Sequence, residues 1–511
     1  MAFDMGVPTL TRRPAGGPLL AGRDPAEASP RWLLRAADAA DRNVFVVVVL
    51  AFAGAIVALS ARGEIQSDSW YALVSGRLVG RSWVPHTDTL TVLSQGREWV
   101  DQQWLSHLAL YGLWSAGGWP LALLALDAMF LTAFTLAAAA ARSRGATALA
   151  TAMVAVPCLL LGLGNIVFRA QTPAYVLFAL VLLLVLEDER RPSRRVFFCL
   201  PLLALWANVH GSVLLGAGLV ALRGAALLAT TDREALRRSA PRAAALLALP
   251  WLCTLVSPYG LALPGYYARV LDNGTLGRFA SEWQPPTIKD DPVFFLALAA
   301  AIWLVARRGA AAGTTGKLAL VASGAAGLLA SRNVVWFALV ALAVVPRTLD
   351  GAWSSRPAPR RRRANLSIAG AALVALAGVA GASAAHPRSW FEADYPARAG
   401  DAVAAAAASG PALKVFANER YADWLLFEHP ELAGRVAYDA RFELLRSDEL
   451  AQVAAFRRQQ GAGWSRIAEG YGLVVLDASG ERSTVRRLAS EPGTRVVFRD
   501  DAVAVLQRAP S

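Results

Sequence analysis

Long apolar runs recur along this chain at roughly 43–61, 119–141, 145–164, 173–187, 196–209, 211–230, 242–256, 292–306, 316–330, 333–347 and 366–384. A helix that crosses a bilayer needs about 20 mostly apolar residues. About eleven such runs in one chain therefore predict a mainly α protein, a polytopic bundle of transmembrane helices. The balance of residues agrees: 55% are hydrophobic and only 17% charged. The net charge of +13 does not point to nucleic acid. Its arginines lie in short connections between apolar runs, where they set topology and meet anionic headgroups.

Those connections alternate. One set carries Arg142/Arg144, then Arg190/Arg191/Arg194/Arg195, then Arg233/Arg237/Arg238/Arg242, then Arg307/Arg308, then Arg347 with Arg360 to Arg363. The positive-inside rule puts that set in the cytoplasm. The N-terminal tail 1–42, with Arg12, Arg13, Arg23, Arg31, Arg35 and Arg42, is expected there too, disordered except for a short amphipathic piece around Trp32-Leu33-Leu34. An odd number of spans places the region from His386 onward outside. The expected organisation is a tail over 1–42, a transmembrane part over 43–384 and an extracytoplasmic α/β domain over 385–511. The implied location is the inner, cytoplasmic membrane.

In that last region the period changes. Leu413 to Phe416, Arg435 to Tyr438, Leu473 to Leu476 and Thr494 to Phe498 read as short strands. Asp448 to Gln459 and Ser483 to Ala489 read as helices. Trp424, Tyr438, Asp439 and Arg441 are its candidates for ligand contact, although most such residues in a small domain are packing. The three cysteines, Cys158, Cys199 and Cys253, lie in apolar runs and predict buried hydrophobes, with no disulfide framework.

The polar side opposite the arginine-rich connections carries the chemistry-bearing residues. After the first run come Ser67-Asp68-Ser69-Trp70-Tyr71 and then Pro85-His86-Thr87-Asp88. Trp70, Leu73, Val74 and Leu78 share one helical face, which predicts a helix in the interface plane with Asp68 at its N-terminus. Asp68 there is either a cap or a free acid. A second interfacial helix is expected near Asp101, with Trp104, Leu105, Leu108 and Tyr111 on one face. The same side holds Asn165 and Phe168-Arg169-Ala170-Gln171, Trp206-Ala207-Asn208-Val209-His210-Gly211, Glu282 with Trp283, and Ser331-Arg332-Asn333. Arg169 and Arg332 interrupt hairpins where arginine is not needed for topology. Either they snorkel or pair with a loop acid, or their guanidinium groups grip phosphate.

An acid after the first span, a helix ending in Gly-Arg, then a proline and a second acid form a layout: Asp68-Ser69-Trp70-Tyr71, Gly76-Arg77, Pro85-His86-Thr87-Asp88, Trp104-Leu105. It resembles that of the C-type glycosyltransferases, among them the protein O-mannosyltransferase, aminoarabinose transferase and rhizobial core-sugar transferase families. The resemblance covers roughly 43–350. The acidic pair often adjacent in those families is not adjacent here, since Ser69 follows Asp68. The resemblance implies transfer of a hexose or pentose from a polyprenyl-phosphate donor to a hydroxyl of an envelope glycan, lipid or protein. In that chemistry Asp68 is the candidate general base and Asp88 its catalytic support, with Arg169, His210, Arg332, Glu282, Asn208 and His86 as candidate phosphate or substrate contacts. The resemblance leaves a divalent metal, Mg or Mn, as an open expectation, with Asp68 and Asp88 the candidate ligands. Two other classes fit the spans: a transporter or lipid flippase, which predicts charge near the membrane centre (Asp127 is the main instance), and a scaffold presenting the C-terminal domain.

Overall fold

The computed structural model describes residues 30–271, 281–350, 361–410 and 413–509. The tail as far as residue 29, with Arg12, Arg13 and Arg23, lies outside them, as does Arg360. Residues 31–42, where a short amphipathic piece is expected around Trp32-Leu33-Leu34, form the longer helix α1 (Arg31–Arg42). Asp38 of α1 pairs with Arg362 at 2.9 Å, and Asp41 accepts from the Asn365 amide at 2.9 Å. These bonds hold α1 against the start of the helix Arg362–Ala384.

Among the described residues seven helices are long and apolar enough to cross a membrane: Val44–Glu64, Trp104–Ser143, Gln171–Arg190, Val213–Thr230, Pro292–Ala311, Ser331–Asp350 and Arg362–Ala384. The four remaining expected runs are different. Ala148–Leu163 and Thr314–Leu329 are shorter apolar helices. The run 196–209 folds as a 3-10 turn followed by an eight-residue helix, Cys199–Trp206. At 1.5 Å per residue that helix covers roughly 12 Å, less than half of the apolar core. The run 242–256 is the second half of Arg233–Cys253, whose first half is charged.

At one end of the bundle the arginine-rich connections converge on carboxylates. Arg223 meets Asp188 at 2.9 Å, Arg242 bonds the same carboxylate, and Arg144 lies 3.8 Å from Glu189. Helix α2 (Val44–Ser60) leads away from this end to the opposite one, where it is followed by α3 (Ser67–Ser82). Helix α4 (Trp104–Ser143) breaks at Gly117 and Gly118. Gly118 has φ 62°, in the left-handed region that favours glycine, and Pro120 opens the second half. The helix expected near Asp101 is therefore residues 104–116, joined through this break to the run expected at 119–141.

Helix α3 does not lie open on an interface. Ser69 to Gly76 are all buried, because α3 is sandwiched between the first limb of α4 and the C-terminal region. Gly76 makes the crossing possible: a Cβ there would sit 2.1 Å from the His107 carbonyl oxygen and 2.6 Å from Tyr111 Cβ. Gly76→Ala is expected to push the two helices apart and cost about 1–3 kcal/mol, read as a lowered denaturation midpoint in detergent. Arg77 faces the other neighbour, donating to the carbonyls of Phe427 and Leu426 at 2.7 and 2.8 Å.

The C-terminal region carries a four-stranded sheet in the order β1-β2-β4-β3, with β1 (Val415–Ala417), β2 (Leu473–Asp477), β3 (Arg495–Arg499) and β4 (Val503–Gln507). β1 runs parallel to β2, with Phe416 opposite Val474; the other pairs are antiparallel. Ser447–Arg458 and Arg482–Ala489 are helices, close to expectation. Arg435 to Tyr438 is no strand. It makes single bridges, Val436 to Val415 and Val436 to Thr91. Thr91 belongs to the segment after α3, and the backbone N–H groups of Val92 and Leu93 donate to the carbonyls of Val436 and Ala437. That segment is thus stitched onto the sheet edge.

Candidate functional site

Four residues from four separate segments meet at the end of the bundle that carries the sheet. Arg169 precedes helix α6 (Gln171–Arg190), in the connection from α5 (Ala148–Leu163). The Phe168 N–H donates to the Glu64 carbonyl at 2.9 Å, which ties this connection to the end of α2. Arg332 lies in the turn Ser331–Asn333, and the Ser331 N–H donates to the Gln284 carbonyl at 2.9 Å. That bond seats the 282–284 segment beside it. Glu282 then bridges the two cations, 2.7 Å from Arg169 and 3.2 Å from Arg332. Asp68 is 3.8 Å from Arg169. The Arg332 guanidinium also lies over the Trp283 ring, 4.4 Å from its centroid.

Asp68 does not cap its helix. The N-cap is Gln66, whose backbone N–H donates to Ser69 Oγ at 2.9 Å. The Asp68 carboxylate, with its side chain 46% exposed, is left free in the first turn of α3, where the helix dipole favours negative charge. The protein wall on its other side desolvates it and raises its proton affinity above that of an ordinary aspartate. Arg169 pulls the other way, Glu282 adds to the rise, and the net shift is upward. For Glu282 burial also raises, but Arg169 and Arg332 outweigh it, and its carboxyl is held below the usual range. Two carboxylates in one cluster are thus driven apart: Glu282 is a fixed anion, while Asp68 is the better proton acceptor.

His210, in the turn between α7 (Cys199–Trp206) and α8 (Val213–Thr230), faces the same cations. Burial, then Arg332, Arg169 and His107, depress its proton affinity well below that of a free imidazole. It is neutral at physiological pH. The Ser212 N–H donates to its Nδ1 at 3.1 Å, which leaves the proton on Nε2 as a donor. An apolar groove of about 450 Å³ runs along the helices from this level, lined by Phe178, Leu214, Leu219, Trp251, Ala326 and Trp336 among others.

Three expected site residues lie elsewhere. Asp88 is buried and bound by Arg441 at 2.8 Å, Thr91 Oγ1 at 2.7 Å, Ser94 Oγ at 2.8 Å and the Leu90 N–H at 3.0 Å. Arg441 pairs as well with Asp439 and lies 4.2 Å over the Trp99 ring. Asp88 therefore anchors the segment after α3 to the C-terminal region. Asn208 spends its amide on Trp104 Nε1, which donates to its Oδ1 at 2.9 Å, and on the carbonyls of Ala204 and Val256. His86 is exposed and packs its ring on Tyr259, 5.4 Å between centroids. Trp424, Tyr438, Asp439 and Arg441 are all buried.

A shared divalent metal does not fit this placement. The oxygens of Asp88 are occupied by Arg441 and by hydroxyl and amide donors, and Asp68 faces Arg169. Among the described residues no three His, Cys, Asp or Glu side chains form a metal-binding group.

The sequence reading passed over a buried pair, Asp101 and His107, each 1% exposed, with Nδ1 2.9 Å from Oδ1. The Tyr71 ring lies 4.9 Å from the imidazole, edge-on. It also passed over Glu443, a half-buried carboxyl pushed up to about 7, chiefly by burial. Asp101 lies in the turn before α4 and His107 inside the helix, so no single period links them and the pair carried no periodic signal.

No protein-family model matches the chain, and no curated protein does. Solved structures do. The archaeal oligosaccharyltransferase AglB from Archaeoglobus fulgidus, in complex with an inhibitory peptide and a dolichol-phosphate, superposes with a TM-score of 0.53 at 14% identity. The match covers 87% of this chain and 71% of that one. ArnT from Cupriavidus metallidurans, bound to undecaprenyl phosphate, matches with a TM-score of 0.49 at 14% identity, over 91% of this chain and 99% of that one. The fold is that of the C-type glycosyltransferases: a bundle of membrane helices with a small sheet at the C-terminus.

Proposed function

We propose that this protein transfers a sugar from a polyprenyl-phosphate donor to an acceptor hydroxyl at the outer face of the cytoplasmic membrane. The observation that carries the reading is the pair Arg169 and Arg332, bridged by Glu282, with a more basic Asp68 3.8 Å from Arg169. An apolar groove starts at the same level. The two guanidinium groups offer N–H donors in the fork geometry that suits a lipid phosphate, and the buried Arg169 Nε has no hydrogen-bond partner among the described residues. The groove suits its isoprenoid tail. The AglB structure of the same fold was solved with a dolichol-phosphate.

In this reading the positive-inside rule sets the arginine-rich end in the cytoplasm, and the region from about 385 is an extracytoplasmic domain. The acceptor hydroxyl approaches Asp68, which takes its proton as the new bond to the anomeric carbon forms. The transition state is oxocarbenium-like, as in glycoside hydrolysis. The departing phosphate oxygen keeps the electron pair, and Arg169, Arg332 and the Nε2–H of neutral His210 stabilise it. The acceptor is an envelope glycan, lipid or protein, and no step runs through a metal.

Binding of undecaprenyl phosphate to the purified protein in detergent tests the phosphate half of the reading. Native mass spectrometry should show a one-to-one complex with the wild type. Arg169→Ala and Arg332→Ala should each weaken it about 10-fold or more, since a charged hydrogen bond is worth about 1.5–3 kcal/mol. Equal binding by all three proteins would remove these arginines from the site.

A further inference from the structure

The four charges of the proposed centre cancel: Arg169 and Arg332 are matched by Glu282 and an ionised Asp68. The Glu282 carboxylate gives one oxygen to each cation, Oε2 to Arg169 Nη1 at 2.7 Å and Oε1 to Arg332 Nη1 at 3.2 Å. That is the two-oxygen bridge by which a phosphate group would engage the same pair. A carboxylate and a phosphate cannot both occupy it. The arginines do not depend on Glu282 for their places. Arg332 lies 4.4 Å over the Trp283 ring and donates to Oε1 of the buried Gln171 at 3.4 Å. Its turn is held by Ser331, whose N–H and Oγ donate to the Gln284 carbonyl at 2.9 and 3.2 Å. Arg169 is 11% exposed, and its connection is tied to Glu64 by the Phe168 N–H. The Glu282 side chain, by contrast, is 37% exposed and among the described residues bonds only these two cations. It can therefore turn toward solvent while the backbone of 282–284 keeps its seat.

We propose that Glu282 is a specificity-determining residue, an internal anion that a lipid phosphate must displace and that favours the singly charged diester donor over the more highly charged monoester product. The inference rests on the lipid-linked transfer proposed above. In that reaction the acceptor oxygen bonds to the anomeric carbon, the bond from that carbon to the phosphate oxygen breaks, and its electron pair stays on the phosphate. The hydroxyl proton goes to Asp68. A diester with one negative charge thus becomes a monoester carrying about 1.5 to 2 near pH 7. Two unopposed guanidinium groups would hold that product more tightly than the donor, because attraction grows with charge. Each turnover would then end on a tightly held product. Competition by Glu282 for the two Nη1 groups weakens both esters alike. Discrimination comes from its charge, which stays within a side chain's length of the phosphate after the carboxylate turns away and repels the second charge of the monoester. As the product leaves, the carboxylate closes the bridge again.

The experiment titrates the full-length protein in detergent with undecaprenyl phosphate and with its methyl ester, read by native mass spectrometry. The methyl ester is a diester with one charge and no sugar, so the comparison isolates charge. Glu282→Gln should bind undecaprenyl phosphate about 10-fold more tightly than the wild type, the scale of one charge-assisted contact. It should gain less for the methyl ester. Unchanged or weaker binding of undecaprenyl phosphate by Glu282→Gln would overturn the proposal, since a carboxylate that only positions the arginines predicts that sign. An equal gain for the two esters would overturn the charge discrimination. If Glu282→Gln does not accumulate, Glu282→Asp decides by the same sign, because its side chain is one methylene too short to hold both bonds. The two failures differ. A wild type that binds no undecaprenyl phosphate defeats the lipid-linked reading. A wild type that binds it, with Arg332→Ala weaker and Glu282→Gln no tighter, defeats only the role of Glu282.

Discussion

Asp68→Asn is expected to reduce sugar transfer by about 10²- to 10⁴-fold, the usual contribution of a positioned general base, with the fold intact. The helix that carries Asp68 is capped by Gln66 and buried along its other faces, so the amide removes basicity and little else. The pH dependence follows from the sign of the shift. Asp68 acts only when ionised, and burial raises its proton affinity. Transfer should therefore rise with pH through a midpoint above that of an ordinary aspartate. Arg169 counteracts that rise, so Arg169→Gln should move the midpoint further up. A steady-state pH profile for wild type and Arg169→Gln checks the direction.

The second large effect is on stability and lies at Arg441. Its side chain is 0% exposed and bridges Asp88, also 0% exposed, to Asp439 at 3%. Truncating one partner of a buried pair leaves charge without compensation and costs about 3–5 kcal/mol. Arg441→Met should cost that much. The damage should fall on the junction between the segment after α3 and the sheet, where Val92 and Leu93 meet Val436 and Ala437. Limited proteolysis should cut between residues 84 and 100 in the variant but not in the wild type. Acid should act at the same place. Burial alone would raise the Asp88 carboxyl, but Arg441 and the donors at Leu90, Thr91 and Ser94 hold it below the ordinary value. A depressed folded value adds stability above the unfolded value, and that stability is lost as pH falls through the folded one. The junction should weaken at acid pH, a weakening that Arg441→Met no longer shows in full.

The membrane bundle and the polarity of its two ends were legible because both rest on long patterns. Twenty apolar residues and an alternating arginine bias survive errors at any one position. Asp68, Arg169, Glu282 and Arg332 were selected because they lay on one side, and folding brings them into one cluster. Asp88, Asn208 and His86 satisfied the same criterion yet are spent elsewhere. A polar residue near a membrane face looks the same whether it meets substrate or anchors a neighbouring loop, and the difference lies in its partners. Asp88 finds Arg441 353 positions away, a pairing that no local pattern encodes. Strand β4 was missed although Val503 to Leu506 are all buried; β2 shares that burial but has an unbroken Leu-Val-Val-Leu run, whereas Ala504, a weak strand former, interrupts β4. Arg435 to Tyr438 read as a strand because its residues favour one, but its neighbours supply only single bridges. The burial of α3 between two layers of protein was hidden for a related reason. Its polar residues face a second layer of protein, which the helical period alone cannot distinguish from water.

The most direct test of the account is transfer of labelled hexose from undecaprenyl-phosphate hexose by membranes containing the wild-type protein, Asp68→Asn or Arg332→Ala at equal abundance. The account predicts transfer by the wild type and its near loss in both variants, through base removal in one and loss of phosphate binding in the other. Full transfer retained by both variants would contradict it.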